Sequence, residues 1–188
     1  MVIPIALMVL TLQVRNTPEC SAPVWGDLAT QFNAQLTAYE QLRTGLEKGL
    51  PPLAVTANPG QTSDRIRALA NRIRVARGKS RQGDIFTPAI GVVFKQALLY
   101  EMDAHTFHIL MDEDNPGEML TQINGTYAMG KSLSTVPPNI LAALPKLPAD
   151  IEYRFVERHL ILLDTRARLI LDRLPYAIHH ADGDPTCR

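Results

Sequence analysis

The sequence predicts an α+β fold, with four or five helices and a small antiparallel sheet toward the C-terminus. Apolar residues recur at helical spacing over residues 27–48 and again over 63–78, whereas they alternate over residues 151–156. Steps of three or four residues place side chains on one face of a helix, and steps of two place them on one face of a strand. The first half of the chain is therefore expected to be helical, and the sheet is expected in the last third.

The two N-terminal stripes are predicted to form a helical hairpin. The first helix covers residues 27–48 and is ended by Gly49, since glycine is the usual residue just beyond a helix. The second helix is expected to begin at a Ser63 cap. The loop between them, residues 51–62, is long enough to allow antiparallel packing.

Further helices are predicted in the middle of the chain. Thr87-Pro88 is typical of a helix start, because proline suits the first helical position. Asp103 is expected to cap a short fourth helix, although residues 105–111 also fit a strand. Residues 137–144 are expected to form one or two helical turns, and residues 119–127 are expected to form a strand.

A β-hairpin is predicted over residues 151–164, and its return strand is apolar at four successive positions, as in a strand covered on both faces. A two-residue turn at Glu157-Arg158 needs positive φ, which glycine adopts more easily than glutamate. Either this turn is wider or Glu157 is strained. Asp164 is expected to cap a helix that ends at Pro175, and losing the cap is expected to cost about 1 kcal/mol.

Composition is that of one folded domain, expected over residues 23–178. Of the 188 residues 46% are hydrophobic and 20% are charged, which are ordinary values for a globular protein. The 19 basic residues equal the 19 acidic residues, so a general nucleic-acid-binding role is not favoured. A protein partner remains open.

The N-terminal segment, residues 1–22, is expected to be a signal peptide or an apolar extension. Its apolar run, Val2–Leu12, matches the hydrophobic region of a signal peptide but lacks a preceding basic region. Eleven residues are too few for a bilayer-spanning helix, which needs about 20. A periplasmic or secreted location is therefore expected, with a cytoplasmic one if the segment is only a strand. Residues 179–188 are expected to be a polar tail.

Cys20 and Cys187 lie near opposite ends of the chain. In an oxidising compartment they would join the termini, provided that both survive processing. Cleavage after Ala22 would remove Cys20 and leave a lone thiol. Because Pro23 is an unfavourable residue after a cleavage site, the sequence leaves both outcomes open.

Four short phrases resemble a group of uncharacterised exported bacterial proteins. The phrases are Gln82 to Pro88, Val136 to Pro138, Leu144 to Pro148, and Glu152 to Val156 continuing to Asp164. The similarity covers roughly residues 31–178 and implies export and a single domain, with no catalytic residue to carry over. This chain has Glu157 where the group is expected to have glycine in the hairpin turn.

The best candidate metal site consists of Glu101, His105, His108 and Asp112. On one continuous helix these residues fall at i, i+4, i+7 and i+11, and their oxygen and imidazole ligands suit zinc, manganese or iron. The neighbouring helices offer no histidine, and a cap at Asp103 would break the helix. A metal-dependent enzyme is therefore an alternative, and solvent-facing polar residues without a cofactor are the preferred interpretation.

The predicted helix over residues 63–81 is strongly basic, with seven Lys or Arg residues against Asp64 alone. Such a helix suits an anionic membrane surface or a nucleic acid. Residues 101–118 carry six acids and no Lys or Arg, so pairing between the two segments is favoured instead. The sequence names no chemistry, and a binding or interaction protein is its first hypothesis.

Overall fold

The computed structural model describes residues 21–51, 59–111, 121–127 and 136–178. In these residues five helices precede a three-stranded antiparallel sheet of order β1-β2-β3, which confirms the predicted α+β fold. The elements are α1 (Gly26–Glu47), α2 (Pro59–Ala76), α3 (Pro88–Glu101), α4 (Ala104–Met111), α5 (Pro138–Ala143), β1 (Ile151–Val156), β2 (His159–Asp164) and β3 (Leu169–Leu174).

Helices α1 and α2 form the predicted antiparallel hairpin. Arg72 of α2 donates to the carbonyl of Leu46 at the end of α1, at 2.7 Å. Arg77, just beyond the end of α2, lies 5.3 Å from the ring centre of Tyr39, two turns earlier in α1. Residue numbers therefore rise along one helix as they fall along the other.

The start of α2 corrects the predicted Ser63 cap. The helix begins at Pro59, so Ser63 lies inside its second turn. Proline is well suited to the first helical turn, where its missing N–H leaves no bond unmade. The sequence pattern located the apolar stripe but placed the helix start four residues too late.

Helices α3 and α4 follow their predicted start signals. The Thr87 hydroxyl accepts the N–H of Ile90 at 3.5 Å, with Pro88 in the first turn of α3. The Asp103 carboxylate accepts the N–H of Thr106 at 2.6 Å, and this bond lowers the pKa of Asp103. Residues 104–111 are helical, so the strand alternative for this segment is wrong.

The hairpin over residues 151–164 is confirmed, and its turn resolves the question posed by Glu157. Val156 pairs with His159, so Glu157 and Arg158 alone make the turn. Glu157 adopts φ +52°, the left-handed conformation that a two-residue turn requires. The turn is therefore tight, and the backbone of Glu157 is strained.

The helix predicted after Asp164 is wrong, because residues 169–174 form β3. The apolar residues Leu169, Ile170 and Leu171 fit either element by spacing alone. As a strand, this segment forms backbone hydrogen bonds with the edge of β2 that β1 does not cover. A helix at this position would leave that edge of β2 without these bonds. A register shift between Leu162 and Leu163 leaves Leu171 as the extra residue of a bulge.

The outer edge of β3 is covered by the segment 121–127 instead of by the strand predicted over residues 119–127. Asn124 donates its N–H to the carbonyl of Ile170 at 2.8 Å, and Ile170 donates to Gly125 at 3.0 Å. Thr126 forms a single bridge with Leu169. A turn held by a few backbone bonds thus replaces a regular strand, because Asn124 and Gly125 favour a turn.

The core lies between the helices and one face of the sheet. Phe94 is surrounded by the rings of Trp25, Phe32, Phe86 and Tyr153, whose centroids lie 5.0 to 5.9 Å from its own. A smaller cluster occupies the opposite face of the sheet and contains Tyr127, Val156, Ile161, Leu163 and Ile170. Strand β2 is therefore apolar on both faces, as its sequence predicted.

Several predictions concern parts of the chain outside the described residues. They include the apolar run Val2–Leu12, both cysteines, Asp112 and the tail 179–188. Of the helices in the described ranges, none combines the length and the apolar character that crossing a membrane requires.

Candidate functional site

The histidines of the predicted metal site lie on the exposed side of α4. His105 and His108 are both exposed, while Glu101 belongs to α3, across the break at which Asp103 caps α4. One continuous helix therefore does not carry these residues, and Asp112 lies outside the described ranges. Among the described residues, no three His, Cys, Asp or Glu side chains are grouped so that they could hold a metal ion.

Asp164, at the end of β2, joins α1 to the sheet. Its carboxylate has 0% exposed surface. It accepts hydrogen bonds from the Tyr39 hydroxyl, from the Arg43 guanidinium at 3.2 Å and from the N–H of Ala167 at 2.9 Å. The sequence predicted that Asp164 would accept a hydrogen bond from a backbone amide in the following turn. It did not predict the two partners in α1.

The burial of Tyr39 fixes its role in this cluster. Burial raises the pKa of the Tyr39 hydroxyl far above its usual value, and the neighbouring Asp164 carboxylate raises it further. The hydroxyl thus remains a donor where an exposed tyrosine would ionise. The Arg77 guanidinium lies 5.3 Å from the Tyr39 ring centre, within the range of a cation–π interaction.

Arg77 connects the end of α2 to the edge of the sheet. It donates to the Asn124 side-chain oxygen and to the Leu171 carbonyl, both at 2.9 Å. The Asn124 side chain in turn donates to the Arg77 carbonyl at 2.9 Å. Burial lowers the pKa of Arg77, and the surrounding Tyr39 and Asp172 oppose that change. The bulge at Leu171 therefore supplies a carbonyl that holds a buried cation.

The outer rim of the Asp164 cluster is a chain of ion pairs. Arg43 approaches Asp150 at 3.6 Å, and Arg166 approaches the same carboxylate at 3.5 Å. Arg166 also donates to Glu47 of α1 at 2.9 Å. Arg43 is buried, whereas Asp150, Arg166 and Glu47 are partly exposed, so each pair that Arg166 makes contributes only some tenths of a kcal/mol. They orient the β2–β3 turn against the end of α1.

Asp172, in β3, is the second carboxylate with 0% exposed surface. It accepts the N–H groups of Gly83, Ile85 and Phe86 at 2.7 to 2.9 Å, together with the N–H of Arg173 at 2.7 Å. Converging backbone N–H groups form an anion-binding concavity, and here the protein's own carboxylate occupies it. Gly83 adopts φ +90°, which a residue with a Cβ adopts only with strain.

This contact gives a structural role to the sequence segment from Gln82 to Pro88. Its loop is the segment that β3 binds through Asp172, and the bond between Phe86 and Asp172 spans 86 positions in sequence. The sequence predicted the helix start at Thr87-Pro88 that follows this loop, but no local signal identified the loop's partner. The signal that could have found it is Asp172 itself, an acidic residue directly after three apolar residues, Leu169 to Leu171.

The basic residues of α2 bond largely to backbone carbonyls. Arg72 donates to Leu46 and Lys48 at 2.7 and 2.9 Å, at the C-terminal end of α1, where cations are favoured by the helix dipole. Arg65 donates to the Pro51 carbonyl, and Arg74 donates to the Asn124 carbonyl at 3.1 Å. Residues 112–118, which carry four of the six acids of the acidic segment, lie outside the described ranges, so pairing with that segment stays a prediction.

His159 and Tyr176 meet beside the hairpin turn. The Nδ1 atom of His159 accepts the N–H of Tyr176 at 3.1 Å, and their ring centres are 5.1 Å apart. Burial lowers the pKa of His159, Arg173 lowers it further, and Glu157 opposes this change. The neutral imidazole is therefore the form that holds the end of β3 to the start of β2.

The segment Ser21–Trp25 contacts helices α3 and α5. Gln96 of α3 donates to the Ser21 hydroxyl at 3.0 Å, and the Trp25 indole donates to the Ala143 carbonyl of α5 at 3.2 Å. Three large aliphatic side chains near these contacts are exposed: Val24 by 80%, Val92 by 66% and Leu141 by 49%. The sequence of this region contains a single charged residue between Pro88 and Tyr100, Lys95, and none in α5 or in residues 21–25. We refer to this region as the strap face.

The comparisons with known proteins identified no protein similar to this chain. Searches of the chain against family models, curated proteins and solved structures found no match. The functional argument therefore rests on the chain's own residues.

Proposed function

We propose that this chain is a small exported protein that acts by binding and carries no catalytic chemistry of its own. The observation that supports this proposal is the use of its buried charges. Four buried charged groups form hydrogen bonds with the protein's own backbone and side chains; they are Asp164, Asp172, Arg43 and Arg77. Together they join α1, α2 and the loop before α3 to the sheet. Groups committed in this way maintain the scaffold, which leaves recognition to the outer surface.

The metal-dependent alternative receives a direct test from the two exposed histidines. We expect purified protein to contain much less than one equivalent of zinc, manganese or iron, and His105→Ala/His108→Ala protein to match it. Elemental analysis after gel filtration in metal-free buffer measures this. About one bound metal per chain, lost in the double variant, would overturn the non-catalytic proposal.

Export is proposed from the apolar run Val2–Leu12 and from the resemblance to exported bacterial proteins. A fusion of residues 1–30 to alkaline phosphatase, which folds only where disulfides form, is expected to be active. Replacing Val9 and Leu10 by Asp should abolish that activity, because charged residues oppose entry into the membrane. An inactive wild-type fusion that is nevertheless well expressed would place the protein in the cytoplasm.

A further inference from the structure

The strap face combines three properties. It is uncharged except for Lys95, it exposes Val24, Val92 and Leu141, and it is fixed to the fold by defined contacts. Trp25 packs edge-on against Phe94 with ring centres 5.0 Å apart. The segment Ser21–Trp25 is thereby a part of the folded protein.

Val24, Val92 and Leu141 belong to the three segments that meet at this attachment, one residue in each segment. Val92 lies one helical turn before Gln96, which holds Ser21, and Leu141 lies two residues before Ala143, which holds Trp25. Residues four apart lie on the same side of a helix. Ser21 and Trp25 are thus held by the two helices that carry Val92 and Leu141.

The sequence upstream of that attachment point indicates what the surface contacts. The apolar run Val2–Leu12 ends only eight residues before Ser21, a connection that reaches about 27 Å when fully extended. An apolar segment of this kind partitions into lipid, and a linker this short keeps the domain close to the bilayer. Pro23 disfavours removal of the segment by cleavage after Ala22.

From these observations we infer that the strap face is a membrane-contacting surface, with the lipid bilayer as its partner. Val24, Val92 and Leu141 enter the interfacial region, and Lys95 has a flexible stem that allows its ammonium group to reach the headgroups. The attraction depends on apolar burial instead of on the basic residues of α2. This inference rests on the proposed function in one respect only, that binding is the activity of the protein.

The test is the partition of the full chain onto zwitterionic phosphatidylcholine vesicles, measured by co-sedimentation. We expect wild-type protein to bind and Val92→Asp/Leu141→Asp to bind at least about tenfold more weakly, because it removes two apolar groups and adds two charges at the contact. Val75→Asp is the matched control, since Val75 is a similar aliphatic residue, 84% exposed, on α2. Its partition should equal that of wild type.

Each result decides for or against the inference. Equal partition of the double variant and the Val75→Asp control would mean that the upstream run binds alone, and would overturn it. Binding that is lost between about 20 and 500 mM salt would assign the interaction to the basic residues of α2, because screening weakens charge attraction. Self-association abolished by Val92→Asp would show a protein interface instead.

Thermal unfolding of each variant shows whether it is folded, and a variant that fails is replaced by Val24→Ser/Leu141→Ser. If the protein does not bind vesicles, the results of the metal analysis and of the phosphatase fusion are not affected. The experiment therefore tests the partner separately from the proposed function.

Discussion

The α1–α2 hairpin and the α3 side of this protein meet the same sheet by different chemistry. Toward the hairpin, the contact is made by charged and hydroxyl groups, with Tyr39 and Arg43 of α1 on Asp164, and Arg77, just beyond α2, on Leu171. Toward α3, it is made by aromatic rings packed around Phe94. Hydrogen bonds require particular atoms at particular distances, whereas apolar packing mainly requires volume. The two sides should therefore respond differently to conservative substitutions.

The largest effect is expected from Asp164→Ala. The substitution leaves Arg43 without its fully buried partner and removes the acceptor of the Tyr39 hydroxyl and of the Ala167 N–H. Breaking a buried charge pair from one side costs about 3–5 kcal/mol. This value replaces the 1 kcal/mol that the sequence suggested for a helix cap. A urea midpoint unchanged from wild type would mean that the polar contact is not needed for stability.

The isosteric change Asp164→Asn tests whether charge, and not shape, holds this contact between α1 and the sheet. In the protein one carboxylate oxygen accepts from Ala167 and the other accepts from Tyr39 and Arg43. Asparagine has a single side-chain oxygen, so its NH2 group must face one of these two sets of donors. We expect much of the Asp164→Ala loss to persist, because hydrogen bonds to charged groups contribute about 1.5–3 kcal/mol. A stability equal to wild type would contradict the role of the charge.

Tyr39→Phe removes one hydroxyl and leaves the ring in place. The buried Asp164 carboxylate then lacks one of its donors, so we expect a loss of about 1.5–3 kcal/mol. The matched control is Tyr153→Phe, whose hydroxyl donates to the uncharged Pro145 carbonyl at 3.0 Å. That control should lose only about 1 kcal/mol. A larger loss for Tyr153→Phe would reverse the comparison.

On the α3 side, Phe94→Leu should cost only about 1–2 kcal/mol. Leucine keeps most of the apolar volume and replaces part of the ring contacts with Trp25, Phe32, Phe86 and Tyr153 by aliphatic contacts, so only part of the aromatic contribution is lost. Chemical denaturation of Phe94→Leu and Asp164→Asn side by side measures the contrast. If Phe94→Leu were the more damaging, the aromatic cluster would be the stricter of the two contacts.

The smallest effect is expected from pH at His159. Its folded pKa lies below the unfolded value of 6.5, so the unfolded state binds more protons as the pH falls through that value. The stabilisation is therefore fully present above about pH 6.5 and is lost at lower pH. His159→Gln should unfold with a weaker pH dependence between about pH 7.5 and 5.5. An identical dependence in both proteins would exclude this contribution.

The sequence by itself determined the elements that depend on local signals. The stripe of α1, the Thr87-Pro88 start of α3, the Asp103 cap of α4 and the 151–164 hairpin follow from neighbouring residues within one or two turns. The pattern of β2 also predicted a strand buried on both faces. The alternation and the spacing of apolar residues are enough for such predictions, because each depends on contacts that lie close in sequence.

Tertiary structure alone decided the identity of β3 and the partners of the buried charges. The residues from Ala167 to Leu174 satisfy helical and extended spacing equally, and pairing with β2 selects the strand. The bond between Tyr39 and Asp164 crosses 125 positions, and that between Ile85 and Asp172 crosses 87. An ionisable residue in an apolar stretch signals that a partner is required, but only the folded chain determines which partner lies within hydrogen-bonding distance.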